Sequence, residues 1–153
     1  MNLLIWRHAD AAPGKPDELR PLTALGHEQA KKISAWIQTY VPGPYRVIGS
    51  PAVRARDTAA ALTTQYEAIP ELGYGLATAT GAAVLKATGW SQTTGTVIFV
   101  GHQPTVGKVN TLLLTGTEVD SGMQGGSLWW YSNEMPDYQG ATLLRAVISH
   151  DFL

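Results

Sequence analysis

Two histidines in this chain each follow a short apolar run: Arg7-His8 after residues 2–6, and Gly101-His102 after residues 96–100. If both runs are parallel strands, both imidazoles emerge at strand carboxyl ends, where open α/β sheets bind ligands. A third segment, Ser50-Pro51-Ala52-Val53-Arg54, follows another short run and adds a guanidinium. Two histidines and two arginines around one crevice suit a phosphate site with a histidine nucleophile. Phosphoryl transfer asks a protein mainly for positioning and for neutralising charge on the equatorial oxygens. Arginine fits because its planar fork binds two oxygens at once and keeps its charge. A neutral imidazole beside such arginines is a competent nucleophile, because nearby positive charge disfavours protonating it. Taken singly, His8 and His102 read as structural residues at strand ends; their coincidence with Arg54 on a helix start carries the chemistry. Arg20, in Arg20-Pro21-Leu22-Thr23, is by itself a solvated loop residue, and beside Arg7 and Arg54 becomes a third phosphate ligand.

The elements that must position these groups can be read from periodicity. Residues 2–6 are too few for a helix and show no polar alternation, as expected of a buried parallel strand. Pro13, Gly14, Pro16 and Pro21 make residues 9–22 a long loop. Thr23 is the N-cap of a helix running to Tyr40, with Leu25, Ile33, Trp36, Ile37 and Tyr40 on its apolar face. Residues 46–49 form the next strand. Ser50 then caps a helix with Pro51 at its first position, reaching Gln65, whose start offers N–H donors to an anion. A short strand at Ala68-Ile69, a loop from Pro70-Glu71 and a helix over residues 81–88 follow. After the strand at 96–100, Thr105 caps a helix with Val106, Val109, Leu112 and Leu113 inward, and residues 127–132 and 141–149 close the sheet as a hairpin. The alternation predicts an α/β chain, a three-layer α/β/α sandwich with a mostly parallel sheet, in one domain over residues 1–153.

Composition narrows the partners. A net charge of −1 gives no global pull toward nucleic acid or an anionic membrane, so a phosphate site must be local. The absence of cysteine excludes disulfides, cysteine-ligated zinc and a cysteine-nucleophile phosphatase. No apolar run approaches a membrane span, and Arg7, His8 and Asp10 directly follow the short N-terminal stretch, unlike a signal peptide, so a cytoplasmic location is expected. Neither the Walker nor the dinucleotide glycine pattern occurs. His8, Asp10, Asp57 and His102 are acceptable metal ligands, but fixed guanidinium charges repel a divalent cation and duplicate its role; no metal and no cofactor are expected. His27 and His150 read as solvated, and Trp129-Trp130 as core.

Arg7-His8, Ser50-Pro51 with Arg54 and Thr58, and Val100-Gly101-His102, in that order, resemble the three signatures of the histidine phosphatase (phosphoglycerate mutase-like) superfamily. Arg20-Pro21-Leu22-Thr23 with Gly26, and the short chain, narrow the resemblance to the SixA-like phosphohistidine phosphatases. The resemblance implies a phosphoglycerate mutase-like fold, His8 as the phosphorylated nucleophile, Arg7, Arg54 and His102 as the rest of the phosphate pocket, and Arg20 as a further ligand. Ala9 stands where glycine is usual, and its methyl group is expected to crowd the entry of a bulky substrate. Many members use a glutamate after the third strand as general acid, a place similar to that of Glu71. A phosphohistidine substrate expels imidazole, with a pKa of about 6.5, a far better leaving group than an alkoxide. Glu71 is therefore read as a loop or capping residue rather than an essential acid.

The implied function is removal of phosphate from a phosphorylated histidine on a partner protein. With no obvious room for a capping domain the crevice is expected to be open, and an ordered lid from residues 9–20 would count against that. A small-molecule phosphomonoesterase of the same superfamily, acting on a phosphorylated metabolite, is the alternative. A non-catalytic phosphoprotein-binding module is the second, disfavoured because a pure binder needs no nucleophile.

Overall fold

Strands that are apolar on both faces need helices on both sides, and the chain supplies them. The computed structural model describes residues 1–153, with six strands in one sheet: β1 (Asn2–Arg7), β2 (Tyr45–Gly49), β3 (Glu67–Ala68), β4 (Thr96–Gly101), β5 (Leu128–Ser132) and β6 (Leu143–Ile148). Four helices, α1 (Ala24–Tyr40), α2 (Val53–Ala60), α3 (Gly81–Thr88) and α4 (Thr105–Thr115), lie between them. The strand order is β3-β2-β4-β1-β5-β6. β1, β4, β2 and β3 pair in parallel, and β5 alone runs against its neighbours β1 and β6. This is the expected three-layer, mostly parallel architecture.

Side-chain alternation divides the core in two. Leu4, Trp6, Ile98 and Val100 pack with Ala30, Ile33 and Ile37 of α1 and Ala55 and Ala59 of α2. Leu3, Ile5, Val97 and Phe99 face the other way, toward Val84 of α3 and Val106 and Val109 of α4. Trp130 is buried in the first cluster and Trp129 packs against the second, so the adjacent tryptophans belong to opposite faces, as expected. No helix is long and apolar enough to cross a membrane.

Local departures from expectation follow from what the elements pack against. α1 starts where predicted, with Thr23 Oγ1 accepting the Gly26 N–H at 3.0 Å. Its inward face, however, is made by Gly26, Gln29, Ala30, Ile33, Ser34 and Ile37. Leu25 and Tyr40 point to solvent, 59% and 61% exposed. At its N-terminal end α1 meets backbone rather than core: a Cβ on Gly26 would lie 2.0 Å from the Asp10 carbonyl oxygen. The second helix begins at Val53 rather than Pro51 and stops at Ala60 rather than Gln65. Ala52 rather than Ser50 therefore holds the cap position, and the Ser50 hydroxyl, which accepts the Ala52 N–H, also meets His102. Thr105 is the first residue of α4, not its cap, and donates its hydroxyl to the Ala79 carbonyl at 2.9 Å.

The tight seat of Gly26 is testable. Gly26→Ala must force α1 off the loop that follows β1, and a loss of about 1–3 kcal/mol is expected from overpacking. Urea denaturation checks it; a stability equal to wild type would mean the loop yields freely.

Candidate active site

The register of β1 on β4 places Arg7 opposite Gly101, so His8 and His102 both follow immediately beyond paired strand ends. Their ring centroids are 5.0 Å apart. His8 Nδ1 lies 2.8 Å from the Ala9 carbonyl oxygen. A carbonyl can only accept, so Nδ1 carries the proton and Nε2 keeps a free lone pair. Burial, opposed by that carbonyl bond and reinforced by the charges of Arg54, Arg7 and Arg20, pushes the His8 pKa down to about 4. His102 is buried, with Nε2 2.6 Å from Ser50 Oγ. Ser50 Oγ also accepts the Ala52 N–H at 3.1 Å. Nδ1 of His102 is buried and has no partner. Burial, followed by the nearby His8 and Arg54, lowers the His102 pKa to about 3.

The arginines are held from three directions. Arg54, the second residue of α2, is only 2% exposed and donates to the Asp17 carbonyl at 2.9 Å and to Asp17 Oδ2 at 3.0 Å. Its guanidinium carbon is 5.2 Å from the centre of the Tyr74 ring. Arg20 donates to the Ala12 carbonyl at 2.7 Å and to Asp17 Oδ1 at 3.1 Å. Arg7 donates through Nη1 to the Met123 carbonyl, while its buried Nε has no partner. Asp17 thus bridges two of the three guanidinium groups. Desolvation works against its charge, but the hydrogen bonds from Arg20 and Arg54 outweigh it and hold the carboxyl below the usual range.

Asp17 belongs to an ordered segment pinned by a bridge between Ala11 and Leu22 and a single turn at Asp17–Leu19. The lid weighed from the sequence is present in part: it covers the Arg54 side. On the other side His8 opens onto a cavity of about 430 Å³ shared with Arg7, Arg20, Gln29, Gln124 and His150. A larger cavity of about 530 Å³ lies along the outer edge of β2 among Tyr45, Arg46, Tyr66 and Glu67. It contains no histidine and its arginine is paired with Glu67, so the chemistry favours the smaller one.

Three sequence expectations change or sharpen here. Ala9 is fully buried in the first core cluster, so its methyl group does not crowd the entry. Its N–H donates to Thr58 Oγ1 at 3.0 Å, and Thr58 in turn donates to the Arg54 carbonyl at 2.7 Å, tying the His8 loop to α2. Glu71 is exposed and lines neither face of the site. His150 is not solvated: its side chain is 14% exposed, with Nδ1 3.1 Å from Asp151 Oδ1. His27 is exposed, as read. Asp17, Tyr74, Gln29 and Gln124 escaped the sequence reading, which took Ser50 for a helix cap rather than a partner of His102. Only Asp17 left a local signal, as a carboxylate three residues before Arg20 in the same loop.

No protein-family model matches the chain, and no curated protein matches its sequence. Solved structures do. The protein histidine phosphatase SixA, complexed with tungstate, is similar at 24% identity over 99% of both chains, with a TM-score of 0.78. A protein from Nakamurella multipartitia assigned as a phosphohistidine phosphatase SixA is 26% identical over 96% of this chain and 94% of its own, with a TM-score of 0.73. A phosphoserine phosphatase from Entamoeba histolytica, bound to phosphoserine, shares the fold at 16% identity over 99% of this chain and 98% of its own, with a TM-score of 0.70.

An anion entering between Arg20 and Arg54 must displace the Asp17 carboxylate. Asp17→Asn should therefore tighten binding of inorganic phosphate by roughly fivefold, equivalent to ~1 kcal/mol. Titration calorimetry reads the change, and weaker binding would mean that Asp17 holds the arginines in place instead.

Proposed function

We propose that this chain, which has the phosphoglycerate mutase-like fold of the histidine phosphatase superfamily, is a phosphatase that removes phosphate from a phosphorylated histidine on a partner protein. The observation that carries the reading is the free Nε2 lone pair of His8, held neutral within the field of three guanidinium groups. His8 Nε2 attacks phosphorus in line. Arg7, Arg54 and Arg20 take the equatorial oxygens, and the buried Arg7 Nε, a donor with no partner in the protein, has its hydrogen bond to give. The bond from phosphorus to the leaving nitrogen breaks as the bond to His8 forms, exchanging one P–N bond for a similar one. Water then attacks phosphorus, the P–N bond to His8 breaks, and inorganic phosphate leaves. The three arginines supply the positive charge that the transition state needs.

A second reading, hydrolysis of a small phosphomonoester, is favoured by the ordered segment over Arg54, which narrows the approach to the site. The two are separated by comparing kcat/KM for a phosphohistidine-bearing phosphotransfer protein with that for phosphoserine. A strong preference for the protein supports the first, and a preference for the ester replaces it with the second. Either way His8→Ala should abolish both turnover and the phosphoenzyme trapped by rapid acid-free quenching.

The pH dependence follows from the sign of the His8 shift. Its pKa is lowered, so the neutral nucleophile persists above about 4 and is lost only as pH falls through that value. With p-nitrophenyl phosphate, and after correction for ionisation of the substrate itself, kcat/KM should stay level to about pH 5. An acid limb at the ordinary histidine value would show that the imidazole is not shielded as described.

A further inference from the structure

The site as built has a nucleophile and phosphate ligands but no evident proton donor. His8 and His102 are neutral, Asp17 is committed to two arginines, Asp10 on the cavity rim accepts from the Thr23 hydroxyl at 2.6 Å, and Glu71 lies outside. Yet a third imidazole faces the same cavity. His150 enters from the single turn after β6, at the far end of the chain from His8. Gly126 separates the two: its N–H donates to the His8 carbonyl at 3.0 Å, and a Cβ there would lie 3.4 Å from His150 Cδ2.

His150 is also held in one orientation. Its Nδ1 is 3.1 Å from Asp151 Oδ1, Asp151 Oδ2 accepts from Gln124 Nε2 at 2.7 Å, and Ser149 Oγ lies 3.0 Å from Gln124 Oε1. A carboxylate on Nδ1 fixes the ring and leaves Nε2 as the nitrogen that exchanges protons, the arrangement used by histidines in acid–base catalysis.

We propose that His150 is the proton donor to the leaving oxygen when this site cleaves a phosphate ester, a role that rests on the phosphatase reading above. As His8 Nε2 bonds to phosphorus and the ester P–O bond breaks, the departing oxygen takes the Nε2 proton of a His150 imidazolium, whose Nδ1–H stays on Asp151. In the second step the attacking water gives a proton to His150 Nε2 as its oxygen bonds to phosphorus and the His8–phosphorus bond breaks. The donor is thereby restored. Such assistance matters for an alkoxide and little for a leaving group stable as an anion, which gives the site a way to accept unactivated esters.

The experiment compares wild type, His150→Phe, Asp151→Asn and Asp10→Asn on glycerol phosphate and on p-nitrophenyl phosphate. His150→Phe should lower kcat on glycerol phosphate about 100-fold, within the usual range for a general acid, and on p-nitrophenyl phosphate less than about threefold. Asp151→Asn, which keeps the ring and loosens its orientation, should show a smaller loss with the same dependence on leaving group, and it stands in if the phenylalanine variant fails to fold. Equal losses on both substrates in these variants would overturn the proposal, because a structural role cannot distinguish leaving groups. So would a leaving-group-dependent loss in Asp10→Asn alone, which would move the role to the carboxylate on the cavity rim. A wild type that forms no phosphoenzyme and turns over neither ester would overturn the phosphatase reading and this one with it, a result distinct from the other two.

Discussion

The parallel pairing of β1 with β4 is the constraint on which the site depends. The pairs Leu3–Val97, Ile5–Phe99 and Arg7–Gly101 bring the two strands to the same level, and the next residue on each is a histidine. A slip of one residue would turn every side chain of β1 to the opposite face, taking apolar residues out of both clusters. The register that fills the core is thus the register that sets two imidazoles 5.0 Å apart. Burial first, then adjacent guanidinium groups, keeps both rings neutral, and His102 is also lowered by the nearby His8. Packing and reactivity are specified by the same set of residues.

Arg54 carries the opposite burden. A guanidinium 2% exposed must be paired, since an isolated buried charge is far costlier than a paired one. The loop after β1 provides the pairing through both the carbonyl and the carboxylate of Asp17. The loop's position and the arginine's charge are therefore mutually dependent, which explains why a segment rich in proline and glycine is nonetheless ordered.

Most of the architecture was legible because it rests on short-range signals. The apolar runs of β1 and β4, the Thr23 cap and the span of α3 over Gly81–Thr88 are local, and the structure places each where the sequence reading did. His8, Arg7, Arg54, Arg20 and His102 could be grouped because each stands at an element boundary. What was missed depends on contacts between distant segments. Leu25 and Tyr40 fit the helical period but lie past the ends of the surface that α1 covers. Ser50 looked like a helix cap because serine followed by proline usually is one, and only the fold reveals His102 beside it. His150 has no motif at all; it reaches the site because β6 pairs with β5, and β5 with β1.

The Asp17 bridge also bears on how ligands arrive. One of the three guanidinium charges around His8 is cancelled at rest, and the chain as a whole is close to neutral. The field reaching into solvent is correspondingly weak, so long-range steering contributes little to encounter rates and association depends only mildly on ionic strength. A pocket of this kind is a poor collector of stray anions. It discriminates at contact, on the strength of whatever is attached to the phosphate.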